Sequence, residues 1–136
     1  MPVAEASSSP ENLRVSPLQM ILAAAVLSNN GTMPSARIAV AVNTPQQGWV
    51  ILPALDTPKE VLPEYQAREI AQAFAGENPY WSYVSSIENS SVTWYLAGTL
   101  PDWSGTPLTL VILLEEDNPA LAKEIGTGLL NMALKP

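Results

Sequence analysis

The 136-residue sequence contains neither cysteine nor histidine. Without cysteine the chain forms no disulfide bond and has no thiolate nucleophile, and without either residue type it has no zinc site built on their side chains. Catalysis by a Ser-His or Cys-His pair is excluded for the same reason. We predict no catalytic residue, no metal ligand and no cofactor for this chain.

Charge is also scarce, since only 14% of the residues are charged and six basic side chains face thirteen acidic ones. The resulting net charge of −7 argues against nucleic acid and against anionic membrane surfaces as partners. The longest strongly apolar run, residues 18–27, is too short to cross a bilayer, so no membrane span is predicted. A charged fraction this low also suggests either a surface of polar uncharged residues or surface that is buried against something else.

The chain does contain enough apolar material for one core, because hydrophobic residues make up 47% of it. Residues 1–12 are mostly polar and are predicted to form a disordered lead or to reflect a cloning boundary. Residues 13–136 are predicted to form a single domain.

The clearest local signal is a complete helix in residues 16–31. Ser16 can cap the first turn, Pro17 stands at the first helical position, and Gln19 falls three residues after the cap. An apolar run follows, and Asn30-Gly31 is typical of a left-handed helix end.

The residues after this helix alternate between strand and helix patterns. Residues 37–42 and 49–52 predict a hairpin, and the cap-like sequence of residues 56–60 predicts a short helical turn. A helix is predicted over residues 64–75 and ends at Gly76. Its predicted buried positions share helical spacing and are Ala67, Ile70, Ala71 and Phe74.

Three strands and a closing helix are predicted for the rest of the chain. The strands cover residues 80–87, 92–98 and 108–114, and the last is predicted to be central because both of its faces are apolar. Short connections make them an antiparallel meander. The closing helix, residues 118–134, has a predicted buried stripe of Leu121, Ile125, Leu129 and Met132, with Gly126 and Gly128 allowing close approach to the sheet. The predicted fold class is α+β, an α/β sandwich with helices on the faces of an antiparallel sheet.

Several of these segments resemble one protein family. Ser-Pro-Leu-Gln-Met at residues 16–20, with Asn30-Gly31 after it, resembles the late helix of the penicillin-binding transpeptidase domain. Residues 94–101 are similar to that family's aromatic strand, residues 108–116 to its next strand and residues 118–134 to its closing helix. The resemblance implies a partial transpeptidase-like fold and a bacterial, extracytoplasmic location in the cell envelope.

The catalytic motifs of that family are missing. No Ser-x-x-Lys occurs in the chain, and residues 84–91, where a Lys-Thr-Gly is expected, contain neither lysine nor glycine. An acidic Glu88 there would repel the substrate carboxylate that the lysine strand binds. Our leading hypothesis is therefore a non-catalytic penicillin-binding, transpeptidase-like domain that serves as a structural or binding module of a peptidoglycan-related protein.

Five residues remain as candidate groove or contact residues: Ser85, Ser86, Glu88, Asn89 and Trp103. A serine nucleophile needs a base and an oxyanion pocket, so a polar strand end and turn is the preferred interpretation of the first four. Most aromatic residues of the region are expected to pack in the core, with Trp103 as the best candidate for an exposed contact.

Two alternatives remain open at this point. The chain could be the C-terminal segment of an active D,D-transpeptidase whose nucleophile lies upstream. It could also be a homodimerising interaction domain, because a transpeptidase tail without its other strands would expose a sheet edge and an apolar face. The predicted partners are a second copy or other envelope proteins.

Overall fold

A computed structural model describes residues 14–85 and 91–135 of the chain. The helices are α1 (Pro17–Ser28), α2 (Glu64–Ala75) and α3 (Pro119–Ala133). The strands are β1 (Thr32–Met33), β2 (Ala41–Thr44), β3 (Gly48–Ile51), β4 (Lys59–Glu60), β5 (Tyr80–Ser85), β6 (Thr93–Thr99) and β7 (Thr109–Leu114). No helix of the described residues has the length and apolar character needed to cross a membrane.

The main sheet is an antiparallel meander in the order β5-β6-β7. Tyr95 in the middle of β6 pairs with Val84 on one side and Ile112 on the other. Two small antiparallel pairs lie outside this sheet, the β2–β3 hairpin and the short β1–β4 ladder. The predicted α+β class and the three-stranded meander are confirmed.

The helices cover both faces of the main sheet. Ala24 of α1 and Ala71 of α2 pack around Trp81 on one face. On the other face, Ala122 of α3 packs with Tyr95 in a second cluster. Because strand residues alternate between faces, the β5–β7 sheet separates two apolar cores.

The first helix is built as its sequence predicts. Ser16 Oγ accepts from Gln19 N–H (3.2 Å) while Gln19 Oε1 accepts from Ser16 N–H (2.8 Å), which completes a capping box. Asn30 (φ 51°) and Gly31 (φ 86°) are both left-handed, and Gly31 N–H donates to Val26 O. The predicted helix end is therefore confirmed.

The predicted buried stripe of the closing helix is wrong. Leu121, Ile125, Leu129 and Met132 are 37–64% exposed, whereas Ala122, Gly126 and Leu130 face the sheet. The physical reason is the Tyr95 ring, which occupies the space under α3 so fully that a Cβ at Gly126 would overlap it. The predicted close approach holds for Gly126 but not for Gly128, which has open space around it.

The second helix has the predicted bounds but also buries smaller residues than expected. Ala67 and Ala71 are buried as predicted, and Ala75 completes the buried stripe. Ile70 and Phe74 remain more than a third exposed, and the Phe74 ring instead contacts the Tyr83 ring with centroids 5.5 Å apart.

Two further predictions are corrected. Residues 56–60 do not form a helical turn, because Lys59–Glu60 pairs as a strand with Thr32–Met33. The β7 strand is not central: among the described residues it pairs with β6 alone and forms an edge of the sheet. Helices cover its two faces, and that cover explains an apolar pattern that is typical of a central strand.

Candidate functional site

Of the five predicted contact residues the structure describes two, Ser85 and Trp103, and these two lie apart. Ser85 ends β5 and pairs with Trp94 at the beginning of β6, whereas Trp103 lies in the loop that follows the far end of that strand. Five residues of extended chain, about 17 Å, separate these two ends. Ser86, Glu88 and Asn89 lie outside the described residues.

Trp103 is half-buried and so less exposed than predicted, and its role as a contact residue stays a prediction. The backbone N–H of Trp103 donates to Leu100 O (3.0 Å). The indole ring lies over Gly105, where an added Cβ would come within 2.5 Å of the indole Nε1. The ring is thus folded back on its own loop, and Gly105 provides the space for it.

The start of α3 is held by the Thr93 hydroxyl and by the Asn118 cap. Thr93 Oγ1, fully buried, donates to Glu116 O (2.7 Å) and accepts from Asn118 N–H (2.9 Å), while Asn118 Oδ1 accepts from Leu121 N–H. This network ties α3 to the beginning of β6. Across the described part of the chain no group of three or more acids, cysteines or histidines is arranged to hold a metal ion.

Among the described residues, Tyr95 has an ionisable side chain whose pKa is clearly shifted by its surroundings. Burial raises the pKa of the Tyr95 phenol above its ordinary value of 10.0. The Thr127 and Ser82 side chains oppose that rise in part, although neither meets the geometry of a hydrogen bond to the buried phenol oxygen. A phenol held neutral inside a core is a structural group, and it is not suited to accept a proton at neutral pH.

An apolar cleft of about 800 Å³ lies between α1, the two segments that precede β2 and follow β3, and Thr109 at the beginning of β7. Its charged lining residue is Arg37, whose Nη2 donates to Leu52 O (2.6 Å). The remaining lining is almost entirely apolar and includes Leu18, Leu22 and Pro53. Ile38 and Leu55, also in the lining, are strongly exposed, so the cleft is open on the side of these residues.

The second candidate surface is the free edge of β7. Thr99 N–H donates to Leu108 O (2.9 Å), so Thr99 points its backbone groups toward the β7 side of β6. The backbone N–H and C=O groups of successive strand residues point to opposite sides of the strand. Those of Ile112 and of the even-numbered residues of β7 therefore point toward β6. The N–H and C=O groups of Thr109, Val111 and Leu113 therefore point outward, where no strand of the described residues pairs with them.

The exposed stripe of α3 lies beside this edge. The helix begins next to Thr93 and reaches Tyr95 at Gly126, so it runs in the same direction as β6. Tyr95 faces α3 and directs its backbone groups at β7. Ala122, Gly126 and Leu130 of α3 face the sheet. In a right-handed helix of L-residues that runs in this direction, the residue that comes just before each of them in the sequence lies on the side of the helix toward β7. Leu121, Ile125 and Leu129 hold those positions, and Met132 continues the stripe.

Sequence reasoning raised an exposed sheet edge and an apolar face as an alternative, but it did not assign them to β7 and to the α3 stripe. The edge was predicted to be central because the run Thr109–Leu114 is apolar on both faces, and the stripe was predicted to be buried because it is bulky and regularly spaced. One signal could have found the edge, since β7 is the last strand of a meander and a last strand has one neighbour in the meander.

In comparisons with known proteins, no family model, no curated protein and no solved structure matches this chain.

Proposed function

We propose that this chain is a non-catalytic, transpeptidase-like domain that serves as a structural or binding module of a peptidoglycan-related protein in the bacterial cell envelope. The observation that carries the proposal is α1, in which a capping box, Pro17 at the first position and a left-handed Asn30-Gly31 end reproduce the pattern of the family's late helix. A three-stranded meander and a closing helix follow in the order that the resemblance implies.

The non-catalytic part of the proposal rests on missing chemical groups. The chain has no histidine, no cysteine, no Ser-x-x-Lys and no Lys-Thr-Gly, so it lacks the motifs that place a base beside the nucleophilic serine in that family. Among the described residues the ion pair present is Arg68–Glu64, an exposed pair on α2. A binding role suits the apolar surfaces better, since an open cleft and an open sheet edge both present area that a partner can bury.

The test is acylation by a β-lactam. The purified chain is incubated with an excess of penicillin, and its intact mass is measured beside that of an active penicillin-binding transpeptidase treated in the same way. We expect the active enzyme to gain one penicilloyl group and this chain to remain at its unmodified mass. A penicilloyl adduct on any serine of this chain would overturn the non-catalytic role.

The same reagent addresses the alternative of an active enzyme with an upstream nucleophile. An antibody against this domain identifies the gene product in the source cells, and fluorescent penicillin is then applied to that product. A larger product that becomes labelled upstream of residue 16 would favour the alternative, whereas an unlabelled product of any size is the result that we expect.

A further inference from the structure

We propose that the free edge of β7 pairs with the β7 edge of a second copy of this chain, in an antiparallel two-fold arrangement centred on Val111. This inference rests on the proposed role as a binding module, for which it names the partner. The α3 stripes of the two copies would lie on the same face of the resulting six-stranded sheet.

The first argument is that the edge lacks the features that keep edge strands apart. Soluble proteins protect such edges with charges, prolines, bulges or very short strands. Thr109–Leu114 is six residues long, contains no charge and no proline, and pairs with β6 in a continuous register without a bulge. Its outward N–H and C=O groups are therefore ready to accept another strand.

The second argument concerns charge and decides the direction of pairing. Glu115, Glu116 and Asp117 follow β7 directly. A parallel pair of β7 strands would place both acidic groups side by side, where like charges repel. In an antiparallel pair the two acidic segments lie at opposite ends of the seam, so they repel each other less than in a parallel pair.

The third argument fixes the register. The outward groups belong to Thr109, Val111 and Leu113, so only these residues can form hydrogen-bonded pairs across the seam. With Val111 opposite Val111 of the other copy, Thr109 lies opposite Leu113, and all the outward groups of both strands are used. A shift of one pair in one direction brings Glu115 into the ladder, and a shift in the other direction requires an N–H from Pro107, which has none.

The fourth argument is the position of the α3 stripe. A two-fold axis normal to the sheet keeps α3 of both copies on one face, and each stripe is turned toward its own β7 edge. The stripes therefore face each other across the seam, above the partly exposed side chains of Leu110 and Ile112. An isologous interface needs a surface that complements itself, and two apolar stripes meet this condition.

The first test uses the absence of cysteine, which makes an introduced thiol unique. In a hydrogen-bonded antiparallel pair, opposite Cα atoms are about 5.5 Å apart, which is within disulfide range. We expect Val111→Cys to form a disulfide-linked dimer on mild oxidation. The matched control is Ile112→Cys, whose two copies would lie about 8 Å apart in this register, beyond that range. Equal crosslinking of the two variants, or none in Val111→Cys, would overturn the proposed register.

The second test measures the association itself by sedimentation equilibrium. We expect the unmodified chain to approach twice its 14.6 kDa mass as its concentration rises. The double variant Ile125→Glu with Leu129→Glu adds charge to the stripe and should weaken the dimer by about 100-fold or more. Ile51→Glu, at a strongly exposed position on β3, is the control and should leave the dimer unchanged.

A strictly monomeric unmodified chain, including one that binds a strand of a different protein, would overturn the proposal. So would a dimer that the α3 double variant leaves intact while its circular dichroism shows a folded chain. These results are independent of the β-lactam test. A monomer without an adduct contradicts the pairing alone, and a dimer with an adduct contradicts the non-catalytic role alone.

Discussion

The main sheet and the hairpin arm, which we define as residues 34–55, use similar residues with opposite results. Each carries a tryptophan on a strand, but Trp81 in β5 is 2% exposed and Trp49 in β3 is 73% exposed. Strand propensity alone therefore does not predict burial. Each of the two strands pairs with one neighbour, but β5 belongs to a three-stranded sheet whose face carries a layer of helices over Trp81, whereas β3 belongs to a two-stranded hairpin.

The physical basis of this difference is the number of layers. A two-stranded hairpin is marginal in water because it has no second layer on which to bury an apolar face. The arm accordingly leaves Val42, Trp49 and Ile51 exposed, whereas the helices on the main sheet enclose two cores. The arm and the apolar cleft beside it thus leave apolar surface open to solvent.

The largest effect is expected from removing each tryptophan in turn. Trp81→Ala deletes a buried ring and its Nε1 hydrogen bond to Ser28 Oγ (2.9 Å), so we expect a loss of about 4 kcal/mol in the free energy of unfolding. Trp49→Ala should change it by less than about 0.5 kcal/mol. Urea unfolding followed by circular dichroism compares the two. Similar losses for both variants would contradict the contrast between sheet and arm.

A smaller effect should separate two glycines of α3. Gly126→Ala places a methyl group against the Tyr95 ring, and we expect a net loss of about 2 kcal/mol. Gly128→Ala meets open space and should gain up to about 1 kcal/mol from helix propensity. The same unfolding measurement applies, and it sharpens the comparison by showing how tightly the helix lies on the sheet. A stabilised Gly126→Ala would mean that the ring moves aside.

A third effect, of about 1 kcal/mol, is expected at the start of α1. Ser16→Ala removes the side-chain half of the capping box and leaves Gln19 N–H without its acceptor. Ser35→Ala in the hairpin arm is the control, since Ser35 makes no side-chain hydrogen bond among the described residues, and it should change the free energy of unfolding little. Thermal unfolding of both variants is sufficient to compare them. Equal shifts in Tm would argue against a contribution from the cap.

The smallest effect at neutral pH concerns Tyr95. Its folded pKa lies above 10.0, so the folded state holds the proton more tightly than the unfolded chain does. This group should therefore not make the free energy of unfolding depend on pH below pH 10, and it should lower that free energy as the pH rises above 10. Tyr95→Phe should remove this part of the alkaline loss. Titration of the phenol by its ultraviolet absorbance provides a direct measurement, and a normal midpoint would contradict the prediction.

Much of the fold could be predicted from local patterns. The capping box at Ser16 and the stop at Gly76 depend on neighbouring residues only, so the sequence alone predicts them correctly. The hairpin could be found because turn residues separate two β-rich runs, although β2 begins at Ala41 rather than at residue 37.

The faces of the helices could not be predicted in the same way. Periodicity identifies an apolar stripe, but it does not say whether the bulky stripe or the neighbouring small one meets the sheet. Here the sheet contributes the large side chains, Trp81 and Tyr95, so the helices contribute small ones such as Ala71 and Gly126. The bulky residues of α3 remain outside as a consequence. The α3 stripe was predicted to be buried for this reason, because its residues resemble those of a core.

The sequence by itself determined the helices, their ends and the order of the meander, since capping, turn chemistry and strand patterns act between residues close in the chain. It also determined that no histidine or cysteine chemistry is available. Only the tertiary structure decided that β7 is an edge, that α3 turns its bulky side toward that edge, and that the hairpin arm stays open. These features depend on which elements meet in space, and close packing between elements distant in the chain selects them.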